Sequence, residues 1–115
     1  MTGARRFRRN IRTIMTRVRH ICPRAEFILV ASILPNPQAT DFVGFHMENR
    51  QMLLSLKEIG TAVADVTSMH QAFLKHKAYA DMTGNHINHP NDFLARLQAQ
   101  VMLATLGEYA FSDTP

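Results

Sequence analysis

Apolar positions along the chain change period several times, and each change marks an element. Phe7, Ile11, Ile14 (or Met15), Val18 and Ile21 recur at spacings of three and four, which places them on one helical face. Pro23 closes this helix, because it lacks an amide hydrogen and restricts the residue before it. Residues 27–33, Phe-Ile-Leu-Val-Ala-Ser-Ile, are a short continuous apolar run rich in β-formers. Such a run predicts a strand buried on both faces, as in a parallel sheet. Pro35, Asn36 and Pro37 stop it and open a loop to about Gly44.

From Glu48 to Ile59 the period is helical again, with Met52, Leu53, Leu56 and Ile59 on one side and Gly60 at the expected C-cap. Thr61–Val66 reads as a second buried strand. Asp65, Thr67 and Ser68 are alternative caps for the helix that follows, with Met69, Ala72, Phe73 and then His76 on its inner face. Residues 78–91 are a polar loop. The last helix starts near Pro90–Asp92 and runs to about Leu106, with Phe93, Leu97, Val101 and Leu106 inward. Pro suits the first helical position, and Asp92 complements the helix dipole there. The tail after Gly107 reads as frayed.

The order helix, strand, helix, strand, helix, helix predicts an α/β fold with a parallel sheet. Two parallel strands alone leave both edges open. The 115 residues therefore read as a single partial domain whose remaining strands lie outside this stretch or come from another chain. A 46% hydrophobic composition is enough to bury a core and argues against intrinsic disorder. No apolar run approaches the ~18 residues of a membrane span. The single Cys22 excludes an internal disulfide framework and a cysteine-built zinc site.

Charge is lopsided. Residues 1–25 hold eight arginines and no acid, while the other 90 residues hold 5 Lys+Arg against 9 Asp+Glu, within a net charge of +4. Such a start is compatible with phosphate binding on nucleic acid or anionic lipid, with a mitochondrial transit peptide, or with the solvated face of an amphipathic helix. The helical period favours the last, so a nucleic-acid partner is not expected. No unbroken apolar stretch follows the basic start, so no signal peptide is visible and a cytoplasmic setting is compatible.

Candidate chemistry gathers at 81–92, Asp-Met-Thr-Gly-Asn-His-Ile-Asn-His-Pro-Asn-Asp, with two histidines, two acids and three asparagines. Loops beyond the carboxyl ends of strands form the ligand crevice of open α/β sheets. A histidine just before a helix is well placed as a general base. His86 and His89 have a His-x-x-His spacing but no third ligand at fixed distance, so no metal is expected. Asn85 and Asn88 are turn formers first and substrate contacts or loop supports second.

The Asn88-His89-Pro90-Asn91-Asp92-Phe93 segment resembles the last block of the SGNH (GDSL-type) hydrolases, where a histidine followed by proline opens the final helix. The strand 27–33 leading into Leu34-Pro35-Asn36-Pro37 resembles that family's penultimate core strand. The strand at Val63–Asp65, followed by a helix with Met69 and Phe73, also fits, so the resemblance covers roughly residues 5–106. It implies the C-terminal part of a three-layer α/β/α sandwich with a parallel sheet, the flavodoxin-like SGNH hydrolase fold. It also implies hydrolysis of a small ester or an acylated carbohydrate or lipid by a serine nucleophile, without a cofactor. His89 matches the catalytic histidine, which takes the serine proton and returns it to the leaving alcohol.

The chain departs from the pattern in three ways. No Gly-Asp-Ser occurs, and Ser32, Ser55, Ser68 and Ser112 lie in no comparable setting. The family's oxyanion-hole blocks have no match. The family's acid lies three residues before the histidine, where this chain has His86. The acid partner is then Asp81, Asp92, a backbone carbonyl, or absent. The chain is expected to carry the histidine block without the nucleophile, to be inactive alone, and to be able to oligomerise through its open sheet edge.

Overall fold

The computed structural model describes residues 2–108. Among them it is a mixed α/β unit of four helices and a two-stranded parallel sheet: α1 Gly3–Ile21, β1 Phe27–Ala31, α2 His46–Leu54, β2 Thr61–Asp65, α3 Val66–Leu74 and α4 Asp92–Glu108. Short 3-10 turns at Thr40–Phe42 and Tyr79–Asp81 punctuate the loops. The strands pair from Phe27 with Thr61 to Ala31 with Asp65. No helix among the described residues is long and apolar enough to cross a membrane.

Thr2 starts α1 by accepting the Arg5 amide on its hydroxyl, which satisfies one of the orphan donors of the first turn. The buried face is Ala4, Phe7, Ile11 and Met15. Of the two alternatives, Met15 faces in, while Ile14, Val18 and Ile21 are exposed, Ile21 to 80%. The reason is geometric. Successive steps of four overshoot a full turn by about 40°, so the inner stripe slants around the helix and leaves the Ile14–Val18–Ile21 row outside. Arg19 continues the slanted stripe, its guanidinium 4.8 Å over the Phe27 ring.

Ala31, Leu53 and Val63 form the core between the strands and α2, with Phe7, Ile11, Leu29 and Leu54 packed against it. Thr61, Ala62, Val63 and Ala64 are all buried, so β2 is covered on both faces, as its apolar run predicts. β1 is not: Val30 is 41% exposed. β1 also ends at Ala31, two residues short of the predicted limit. Its partner turns directly into α3 after Asp65, so Ser32 and Ile33 have no strand to pair with. The Ser32 carbonyl accepts the Thr67 hydroxyl instead, and the Leu34 amide donates to His70 Nδ1.

Helix α2 stops at Leu54, and Ile59, expected on its inner side, is 76% exposed. The chain tightens there: Glu58 and Thr61 exchange backbone hydrogen bonds, with Gly60 between them at φ 83°. Gly60 thus serves a tight turn, not a helix cap; its left-handed backbone suits glycine. Asp65, not Thr67 or Ser68, caps α3, accepting the Ser68 amide at 3.1 Å and its hydroxyl at 2.8 Å. Val66, Thr67 and His70 are the fully buried residues of α3; Ala72 and His76 are exposed, against expectation. A helix that leaves a buried strand without a linker keeps its first residues inside, and this sets its phase. In α4, Leu94 is the buried anchor and Leu97 and Val101 are half-buried, whereas Phe93 and Leu106 lie exposed. Phe93 packs edge-on against Phe73, 5.8 Å between ring centroids. Gly107 and Glu108 continue α4; the rest of the expected tail, and Ser112, lie outside the described residues.

Candidate functional site

The polar loop after α3 is a built structure. Thr83 and Pro90 pair as an antiparallel bridge. Within it the Gly84 amide and the Thr83 hydroxyl both donate to the His89 carbonyl, at 2.8 Å and 3.0 Å. The Thr83 hydroxyl also accepts the amides of Asn85 and His86. Asn85 completes the turn: its side-chain oxygen accepts the amides of Ile87, Asn88 and His89 at 2.9–3.0 Å. Its nitrogen donates to the Asn88 side chain at 3.2 Å. A Cβ on Gly84 would lie 2.9 Å from the Pro90 carbonyl oxygen, so the bridge closes only around glycine. His86 takes the left-handed backbone at φ 60°, an uncommon state for a side-chain-bearing residue.

This turn is fastened to the segment that follows β1. Asn36 donates its amide to the Ile87 carbonyl at 2.7 Å and its side-chain nitrogen to the His86 carbonyl at 2.8 Å. The Tyr79 hydroxyl lies within hydrogen-bond reach of the Leu34 and Ile87 carbonyls, at 3.2 Å and 3.1 Å. Burial raises the Tyr79 pKa above its usual value, against the hydrogen bonds around it. Below, fully buried Met82 anchors the loop, and its carbonyl accepts the Asn91 amide at 3.1 Å. Asn91 then caps α4, accepting the Leu94 amide at 3.0 Å, and donates to the Asp81 carbonyl at 2.7 Å.

His89 is therefore held by its backbone while its ring stands exposed at the head of α4. Asp81 and Asp92 are exposed as well, and neither is ion-paired or hydrogen-bonded to the His89 ring among the described residues. Asn85 and Asn88 support the loop through the bonds above. No trio of His, Cys, Asp or Glu side chains converges as metal ligands among the described residues. A mostly apolar cavity of about 320 Å3 lies against Leu34 and Pro35 of the segment after β1, with Val43, Met47 and Leu74 as further apolar walls and His46 and Glu48 as polar ones; no residue of the 81–92 turn lines it.

Several contributors escape sequence reading. Asn36 and Tyr79 act across 50 and 45 residues, a separation no local pattern reveals. His70 is the most hidden. Its Nδ1 accepts the Leu34 amide at 2.9 Å, while Nε2 is buried without a hydrogen-bond partner among the described residues. Accepting at Nδ1 requires an unprotonated nitrogen there, and burial pushes the His70 pKa down. The sequence carries one clue: His70 sits next to Met69 of the apolar stripe of α3. Neither a protein-family description, a curated protein nor a solved structure matches this chain.

Proposed function

We propose that this chain is the histidine-bearing part of an SGNH-type serine ester hydrolase, a three-layer α/β/α sandwich of flavodoxin-like topology when complete. One observation carries the reading. His89, in the Asn88-His89-Pro90 block, stands exposed on a turn braced by Asn85 and Thr83, fastened through Asn36 to the chain beyond the carboxyl end of β1. That end of a parallel sheet is where α/β folds gather ligands.

In this reading the His89 imidazole takes the proton of a serine hydroxyl as that oxygen attacks the ester carbonyl. It then returns the proton to the leaving alcohol. The serine comes from a segment outside these 115 residues. The apolar cavity beside Leu34 and Pro35 suits the acyl portion of a small ester.

The test begins with the DNA upstream of Met1, where an in-frame strand pattern ending in Gly-Asp-Ser is expected. The joined chain should hydrolyse p-nitrophenyl acetate. His89→Ala in it should reduce kcat by about 10^3-fold or more, and the 115-residue chain alone should show no His89-dependent turnover. Full activity of the joined His89→Ala variant would sink the reading.

A further inference from the structure

We propose that the cleft between α1 and the turn after α2 binds a phosphate group. Arg8, Arg12 and Arg19 lie at steps of four and seven along one side of α1, a spacing that aligns side chains on a helix. Ser55, Lys57 and Glu58 face them from the chain leaving α2, around a cleft of about 200 Å3. That is well above the space a single water needs. Among the described residues, four cations and one carboxylate thus line the cleft.

Two of the cations are already positioned. Arg8 donates to the Ser55 hydroxyl at 2.8 Å. Arg19 reaches Glu58 at 3.4 Å, the Thr61 hydroxyl at 3.2 Å and the Ala25 carbonyl at 3.4 Å. The side chains of Arg12 and Lys57 make no hydrogen bond or ion pair among the described residues.

A simpler role would be to cap the carbonyl end of α2. That role is already filled. The Gln51 carbonyl takes the Ser55 amide, Met52 takes the Ser55 hydroxyl, Leu53 takes the Leu56 amide and Leu54 takes the Lys57 amide. Unneutralised like charges across a cleft repel, and an anion between them removes the repulsion. Guanidinium forks match phosphate oxygens in pairs, and an ammonium adds a point charge. Glu58 opposes an anion, but Arg19 holds it.

The cleft is remote from the His89 turn. Arg19 touches the first residue of β2, whereas the turn is fastened beyond the last residue of β1. Strands of five residues at ~3.3 Å each put these ends about 15 Å apart or more. The proposal therefore stands independently of the ester-hydrolase reading. The shared chemistry is a phosphate group, in solution or on a lipid headgroup.

Calorimetric titration of the purified 115-residue chain with inorganic pyrophosphate, against matched sodium chloride, should show saturable binding. Arg12→Gln with Lys57→Gln should weaken it about tenfold or more, the order expected for losing charge-assisted hydrogen bonds. Arg6→Gln with Arg17→Gln removes the same charge from the opposite side of α1 and should weaken it about twofold or less. Thr16→Glu, at an exposed position lining the cleft, should abolish binding while circular dichroism stays unchanged. Sedimentation with phosphatidate-containing vesicles that is reversed by pyrophosphate would assign the phosphate to a headgroup; binding of pyrophosphate without sedimentation would assign it to a soluble ligand. Absence of saturable binding, or equal losses from the two arginine-lysine and arginine pairs, would overturn the proposal.

Discussion

Asn85 commits its carboxamide oxygen to three backbone amides and its nitrogen to the Asn88 side chain, and this makes it the most sensitive residue of the His89 turn. Asn85→Ala removes three accepted amide bonds and one donated bond at an exposed site. Water replaces part of that loss, so a cost of about 1–2 kcal/mol is expected, measurable as a lower urea midpoint. In the complete enzyme proposed above, the same change should lower kcat more than it raises KM. An unchanged urea midpoint would show that the turn holds without Asn85. His70 gives a pH signature. Its pKa is depressed by burial, so below about pH 6.5 the unfolded chain binds the proton more readily than the folded one. Stability should be full above that pH, fall as pH drops toward the folded-state value, and level off below it. Protonation would also remove the acceptor of the Leu34 amide. Urea midpoints at pH 7.5 and 5.5 should differ in the parent chain and much less in His70→Gln.

At the scale of elements, Asp65 joins three of them, ending β2, capping α3 and gripping α2. Both its oxygens meet Arg50, at 2.7–3.0 Å. Burial alone would raise its pKa, but the hydrogen bonds from Arg50 and Ser68 together outweigh that and hold it below the usual carboxylate value. Its contribution is present above about pH 4 and is lost as pH falls through the folded-state pKa. Asp65→Ala removes a cap worth about 1 kcal/mol and leaves Arg50 half-buried without its partner. A total near 2 kcal/mol is expected, with Asp65→Asn losing less because it still caps. A thermal melt in which both variants match the parent would contradict this. The element types and their order were legible in the sequence, because period and punctuation are local. The phases of α1, α3 and α4 were not. Local spacing cannot reveal that α1 packs obliquely, so that Met15 replaces Ile14, or that β2 enters α3 without a linker, so that His70 replaces Ala72. The gathering of histidines, acids and asparagines at 81–92 was legible in the sequence. Its braces, Asn36 and Tyr79, were not, since their partners lie tens of residues away.

At the scale of the molecule, the sheet among the described residues has two strands and therefore two edges, and β1 carries no Lys or Pro within Phe27–Ala31 to discourage pairing. Exposed Val30 and the Ile14–Val18–Ile21 row add apolar surface. Light scattering should show association of the 115-residue chain that grows with concentration, and Val30→Lys should suppress it. A clean monomer at all concentrations with an unchanged circular dichroism spectrum would refute this.

The fastening of Asn36 to His86 and Ile87 closes a span of 50 residues. The entropy of such a closure must be overcome before its hydrogen bonds stabilise anything. The His89 turn should therefore form late and open early, as a cooperative unit separate from the sheet. Hydrogen exchange can time this: the amides of Asn36, Gly84 and His89 should become deuterated together, well before those of Ala62 and Ala64. The histidine that the proposed chemistry depends on would then belong to the most readily opened part of the fold.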